Sequence, residues 1–173
     1  MQNNQNFETS SVISNSDDVF KKAIILLSKK AYSKKMLLKK LYEKGCEKEA
    51  CQIALNKLEE LKLIDDFEYA NMLYRHYKAK GFGEIRISKE LEQKGIERET
   101  ISNIMEENAD DNSCEEVIKA FLLKKFKSMP PDKKEISSAI SALMRKGFRL
   151  GQISPIVRGI IDKEYEGFSN FDD

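Results

Sequence analysis

The chain has 173 residues, 40% hydrophobic and 34% charged, with eight glycines, three prolines and no tryptophan. That composition supplies a core, favours helices through its Lys, Glu, Leu and Ile, and excludes a bilayer span, because the longest apolar runs are 23–27 and 120–123. The net charge of +1 hides an asymmetry: residues 20–64 hold twelve lysines against five acids, residues 65–112 seven bases against twelve acids, and residues 113–173 eleven bases against nine acids.

Residues 1–18 are polar and lack a basic-then-apolar order, so no secretion signal is expected. Asn, Gln and Ser without a period predict a disordered tail over 1–17. Asp17 or Asp18 is expected to cap the first helix, whose inner face carries Phe20, Ala23, Ile24 and Leu27 at spacings of three and four. Ser33 reads as the next cap. Met36, Leu37 and Leu41 follow, and Gly45 stands where a left-handed helix end is needed. A third helix over about 48–61 has Ile53, Ala54, Leu58 and Leu61 as its apolar stripe.

Asp65 opens the next segment, with Glu68 three residues on as a capping-box variant. Tyr69, Ala70, Leu73, Tyr74 and Tyr77 face inward before Gly81. Gly83 then opens a helix carrying Ile85, Ile87, Ser88 and Leu91 before Gly95, and Ile96, Ile101, Ile104 and Met105 mark the helix after it. After a polar link at 108–112, Ser113 and Glu116 form a capping box ahead of Val117, Ile118, Phe121, Leu122 and Phe126, and Pro130 and Pro131 end that helix. Asp132 caps a helix with Ile136, Ala139, Ile140 and Leu143 inside and Gly147 at its end. Gly151, Pro155 and Gly159 weaken the last helix. Pro155 is best tolerated as its first residue with Ser154 as cap, which predicts a short or late helix.

One pattern recurs along this course. Leu-x-x-Lys-Gly stands at 41–45, 91–95 and 143–147, with the glycines 50 and 52 residues apart. Repetition at that period indicates one helical unit used three times. The expected fold is all-α: three tandem three-helix repeats over 18–64, 65–112 and 113–166 in an elongated curved array, with hinge candidates at 63–65 and 108–113. In that reading Lys44, Lys94 and Lys146 are solvated.

No catalytic, metal or cofactor constellation stands out. His76 is the sole histidine, and the three cysteines are odd in number and lack metal-ligand spacing, which reads as packing thiols in a reduced, cytoplasmic setting. Adjacent Asp65 and Asp66 suit a helix start better than a metal pair. Basic residues cluster around the matching turn of each unit: Lys34, Lys35 and Lys39 in the first, Arg75, Lys78, Lys80, Arg86 and Lys89 in the second, Lys124 and Lys125 in the third. Stacked units would line these into a stripe suited to nucleic acid or to an acidic groove of a protein assembly; a solvated lysine-rich face is the alternative.

The stretch Leu63-Ile64-Asp65-Asp66-Phe67-Glu68-Tyr69-Ala70, then Lys80-Gly81-Phe82-Gly83-Glu84-Ile85-Arg86-Ile87, then Leu91-Glu92-Gln93-Lys94-Gly95-Ile96 resembles the centre of the RecX family, bacterial regulators of RecA recombinase. The resemblance covers roughly 20–165 and is weakest after Pro130. It implies a non-enzymatic, cytoplasmic modulator, acting as a monomer in DNA repair, homologous recombination and the SOS response. Similar proteins bind along the groove of the RecA–DNA filament and limit its ATPase, strand exchange or growth. A direct DNA binder built from helix-turn-helix-like units is the competing class. The motif residues take structural roles: Asp65 and Asp66 as caps, Tyr69 and Ala70 as packing, Gly81 and Gly83 at a tight reversal, and Gly45, Gly95 and Gly147 as helix stops. Arg86 is open between a structural bridge to the acidic pair and a partner contact.

Overall fold

The computed structural model of the protein describes residues 13–108, 113–127 and 130–169, with the backbone alone at Ser113 and after residue 162. Nine helices lie among the described residues: α1 (Ser16–Leu27), α2 (Lys34–Glu43), α3 (Lys48–Glu60), α4 (Asp66–Ala79), α5 (Glu84–Gln93), α6 (Arg98–Glu107), α7 (Ser113–Lys125), α8 (Lys133–Arg145) and α9 (Leu150–Ser169). The all-α expectation holds. The chain forms two compact units. One comprises residues 13–69 together with Lys94–Ile96, and the other Ala70–Gln93 with the described residues from Glu97 onward.

The first unit closes on Val19, Ala23, Leu37, Leu41, Ala50, Cys51, Ala54, Leu55 and Leu58. Asn15 caps α1 by accepting from the Asp17 amide at 2.9 Å, so the cap stands two or three residues ahead of the aspartates expected for it. Those aspartates lie in the first turn, where the helix dipole favours them. Ile53 on α3 and Leu61 at its C-terminal cap are more than half exposed, and they leave the expected stripe. Small Ala50, Cys51 and Ala54 take the inner face and let α1 approach closely. The Cys51 thiol contacts Cys46, and burial pushes its pKa up to about 11, as expected of a packing thiol.

The N-terminus of α2 draws partners from far along the chain. Ser33 is fully buried; its hydroxyl accepts from the Met36 amide at 3.2 Å and donates to the Lys94 carbonyl at 2.5 Å. The Asp66 carboxylate accepts from the Lys34 amide at 2.8 Å. Asp65 caps its own helix through the Phe67 and Glu68 amides at 2.9 and 3.1 Å. The paired aspartates therefore cap two different helices. Ser33→Ala is expected to cost about 1–2 kcal/mol, because it removes a cap and leaves a carbonyl without its donor. A urea midpoint unchanged from the parent would refute this.

The second unit has Ile118, Leu122, Phe126, Ala139, Leu143, Phe148, Ile153, Val157 and Ile160 as one buried cluster. Asp132 caps α8 as expected, accepting from the Glu135 amide at 2.7 Å. Ile85 is exposed although its neighbours Ile87 and Leu91 are buried. Helix α7 stops at Lys125, ahead of the prolines expected to end it. The Ser113 capping box and most of the 108–113 link lie outside the described residues.

Helix α9 corrects the expectation of a short last helix: it runs 20 residues with Pro155 inside it. Gly151, Pro155 and Gly159 fall four residues apart on one exposed row. Ile153, Val157 and Ile160 occupy the opposite side, buried against α7 and α8. The breakers thus weaken only the outward face, and apolar burial overrides their low propensity.

Four helix ends share one hydrogen-bond pair, in which two successive amides turn back to the last helical carbonyls. After α2, α4 and α8 the left-handed residue is Gly45, Gly81 or Gly147. After α3 it is Lys62, at φ 53°, with Lys62 N donating to Glu59 O and Leu63 N to Leu58 O, both at 2.8 Å. A side chain in that region costs about 1 kcal/mol relative to glycine.

Candidate partner-binding surface

The turn between α4 and α5 is built by backbone approach. Gly81 takes φ 72°, as a reversal there requires. Gly83 does not need positive φ. It is glycine because the turn after α8 presses on it: Gly83 N donates to Lys146 O at 2.8 Å and Ile85 N to Gly147 O at 3.2 Å. A Cβ on Gly83 would lie 2.5 Å from the Gly147 carbonyl carbon and 2.6 Å from Phe148 N.

That docking fixes Phe82, and a string of rings and cations forms around it. Tyr77 and Phe82 stack with centroids 5.9 Å apart. The Arg86 guanidinium lies 4.0 Å over Phe82, and the Lys146 ammonium is 5.9 Å from Phe82 and 5.6 Å from Phe121. Lys80 stands 5.9 Å from Tyr77, and Lys78 5.8 Å from Tyr74. Arg86 also pairs with Glu90 at 3.6 Å. Burial, then the Glu90 charge, holds the Tyr77 phenol above its ordinary range. Lys124 and Lys125 extend from α7 one turn beyond Phe121, both exposed.

Beside this string runs an open groove of about 370 Å³ lined by Glu84, Ile85, Ser88, Lys89, Glu92, Met105 and Arg149. Arg149 and Glu84 approach to 3.9 Å. Opposite charges over an apolar floor suit a protein surface better than a phosphate backbone.

Seven of the expected contact residues, Arg75, Lys78, Lys80, Arg86, Lys89, Lys124 and Lys125, lie in the second unit, and Lys34, Lys35 and Lys39 lie in the first. Lys39 is exposed. Lys34 pairs with Glu59, and the Lys35 stem lies against Gly95, so both have structural work. Arg86 pairs with Glu90 and lies over Phe82, while the Asp65 carboxylate accepts from an amide of α4 and the Asp66 carboxylate from an amide of α2. Sequence reasoning missed Lys146, read as solvated, together with Phe82 and Phe121. The available signal was two aromatic side chains next to basic turns.

Nine helices among the described residues, with a recurring glycine-stopped turn, define an all-α helical-repeat protein. A family model described as "RecX, second three-helix domain" matches residues 65–105. Regulatory protein RecX of Vibrio parahaemolyticus is 35% identical over 133 residues, covering 76% of this chain and 84% of that protein. The one of Stenotrophomonas maltophilia is 32% identical, covering 73% and 77%. A crystal structure of regulatory protein RecX superposes with a TM-score of 0.71 at 25% identity, covering 82% of this chain and 70% of that one. RecX from Lactobacillus salivarius shares the fold with a TM-score of 0.76 at 22% identity, covering 84% and 96%. The chain belongs to the RecX family of regulatory proteins.

Proposed function

We propose that this chain is a non-enzymatic modulator, mainly an inhibitor, of RecA recombinase. It acts as a cytoplasmic monomer, lies along the groove of the RecA–DNA filament, and limits ATP hydrolysis, strand exchange or filament growth during repair. The observation that carries this reading is the cation-and-ring string beside the mixed-charge groove of the second unit. It offers arginine and lysine side chains already held over rings, next to apolar Ile85 and Met105 and carboxylates that would repel a bare phosphate backbone. Three three-helix repeats would spread such contacts over more than one protomer, so that modest affinities combine.

The test is RecA ATPase on single-stranded DNA with and without the chain. Inhibition is expected near stoichiometric amounts, and no effect at stoichiometric excess overturns the proposal.

Direct DNA binding is the second reading. It draws on the exposed Lys124 and Lys125, for which no ion pair is recorded among the described residues. It predicts tight binding without RecA that falls steeply with salt. The rings of the string are covered by cations or buried, and so do not form an open platform for bases.

A further inference from the structure

We propose that Leu61, Lys62 and Leu63 form a rigid knuckle that docks into an apolar pocket edged by carboxylates on the protein partner. Three features converge on this link. First, it carries the one left-handed non-glycine residue among the described residues, at a helix end whose three counterparts use glycine. Strain held where a glycine would relieve it points to a side chain that is needed. Second, Leu61 and Leu63 are 54% and 47% exposed on either side of it, and Ile53, two turns earlier on α3, is 57% exposed. Third, the knuckle is pinned at both ends: Leu58 and Ile64 are buried, and Asp65 caps α4 directly afterwards. Its backbone is therefore preorganised, which lowers the entropy lost on docking.

The chemistry selects the class of partner. Two leucines gain by leaving water and have nothing to offer a phosphate. Glu60, exposed beside them, would repel a nucleic-acid backbone. The exposed Lys62 ammonium has no ion pair among the described residues and would pair with a carboxylate on the rim of an apolar pocket. A protein surface fits this set and DNA does not.

Because the partner is taken to be the RecA filament, as proposed above, the probe is that filament on single-stranded DNA with the full chain as inhibitor. Leu61→Ser with Leu63→Ser, and separately Lys62→Glu, are expected to raise the half-inhibiting concentration about tenfold, with helical circular dichroism unchanged. Lys62→Gly is expected to raise the melting temperature while inhibiting more weakly than the parent. If the parent inhibits and both docking variants inhibit at the same concentration, the knuckle proposal falls and the RecA assignment stands. If the parent itself neither binds the filament nor slows hydrolysis, both fall. A lower melting temperature for Lys62→Gly removes the strain argument and the knuckle with it.

Discussion

Gly147→Ala is expected to destabilise the second unit by about 3 kcal/mol or more, far beyond an ordinary glycine-to-alanine change. Two costs combine. Gly147 has φ 95°, where a Cβ is strained by about 1–2 kcal/mol. The added Cβ would also lie 2.5 Å from Arg86 Cβ and 3.0 Å from Arg86 Cα, and backbone cannot swing aside as a side chain does. Relief requires the turn after α8 to withdraw from α5. That breaks the bonds from Gly83 N to Lys146 O and from Ile85 N to Gly147 O, each worth about 1 kcal/mol, and loosens the rings beneath Arg86 and Lys146. Gly45→Ala is the control. It carries a comparable φ of 77° but faces open space, so only the strain of about 1 kcal/mol is expected. Gly83→Ala isolates the other component, because it meets the Gly147 backbone without needing positive φ. Its effect should be non-additive with Gly147→Ala, since either change alone opens the same joint. Urea midpoints for the three variants and the double variant check the series. Equal losses for Gly147→Ala and Gly45→Ala would show that the joint contributes little.

This joint marks where the sequence stopped being readable. Caps and stops act within one helical turn, and Ser33, Asp65, Asp132 and the Leu-x-x-Lys-Gly glycines were legible for that reason. Their second duties are not local. Ser33 donates to a carbonyl 61 residues away, and Asp66 caps a helix 32 residues back. Gly83 serves close approach rather than reversal. The same limit explains α9. Three breakers predict a short helix only until they prove to share one outward row, and which row faces outward is decided by packing against α7 and α8. Ile53, Leu61 and Ile85 fail in the opposite sense, since apolar character at helical spacing marks a face without saying whether anything covers it. Of the candidate site, the basic residues were visible in the sequence. Their division into exposed lysines and cations committed to rings or carboxylates was not, because aromatic partners such as Phe121 for Lys146 come from another helix.

That division also determines which charge variants test the proposed function. Reversing Lys34, Lys35 or Arg86 would confound binding with folding, because Lys34 pairs with Glu59, the Lys35 stem lies against Gly95, and Arg86 covers Phe82. Lys80, Lys89, Lys124 and Lys125 are exposed and form no ion pair among the described residues, and the one ring contact among them is the distant one of Lys80 to Tyr77, at 5.9 Å. Reversing all four to glutamate should leave the melt within about a degree of the parent, because solvated lysines contribute little to stability. The half-inhibiting concentration against RecA ATPase should rise about a hundredfold. That corresponds to roughly 2.7 kcal/mol over four sites, or about 0.7 kcal/mol each, the range expected of partly screened charges at an interface. The loss should shrink as salt is raised, because the parent forfeits the same attraction to screening. A second quartet, Lys21, Lys44, Lys48 and Arg158, lies outside the ring-and-cation string and changes net charge equally. Equal losses in the two quartets would mean that overall charge, and not this surface, governs inhibition. Full inhibition by the first quartet would place the contact elsewhere on the chain.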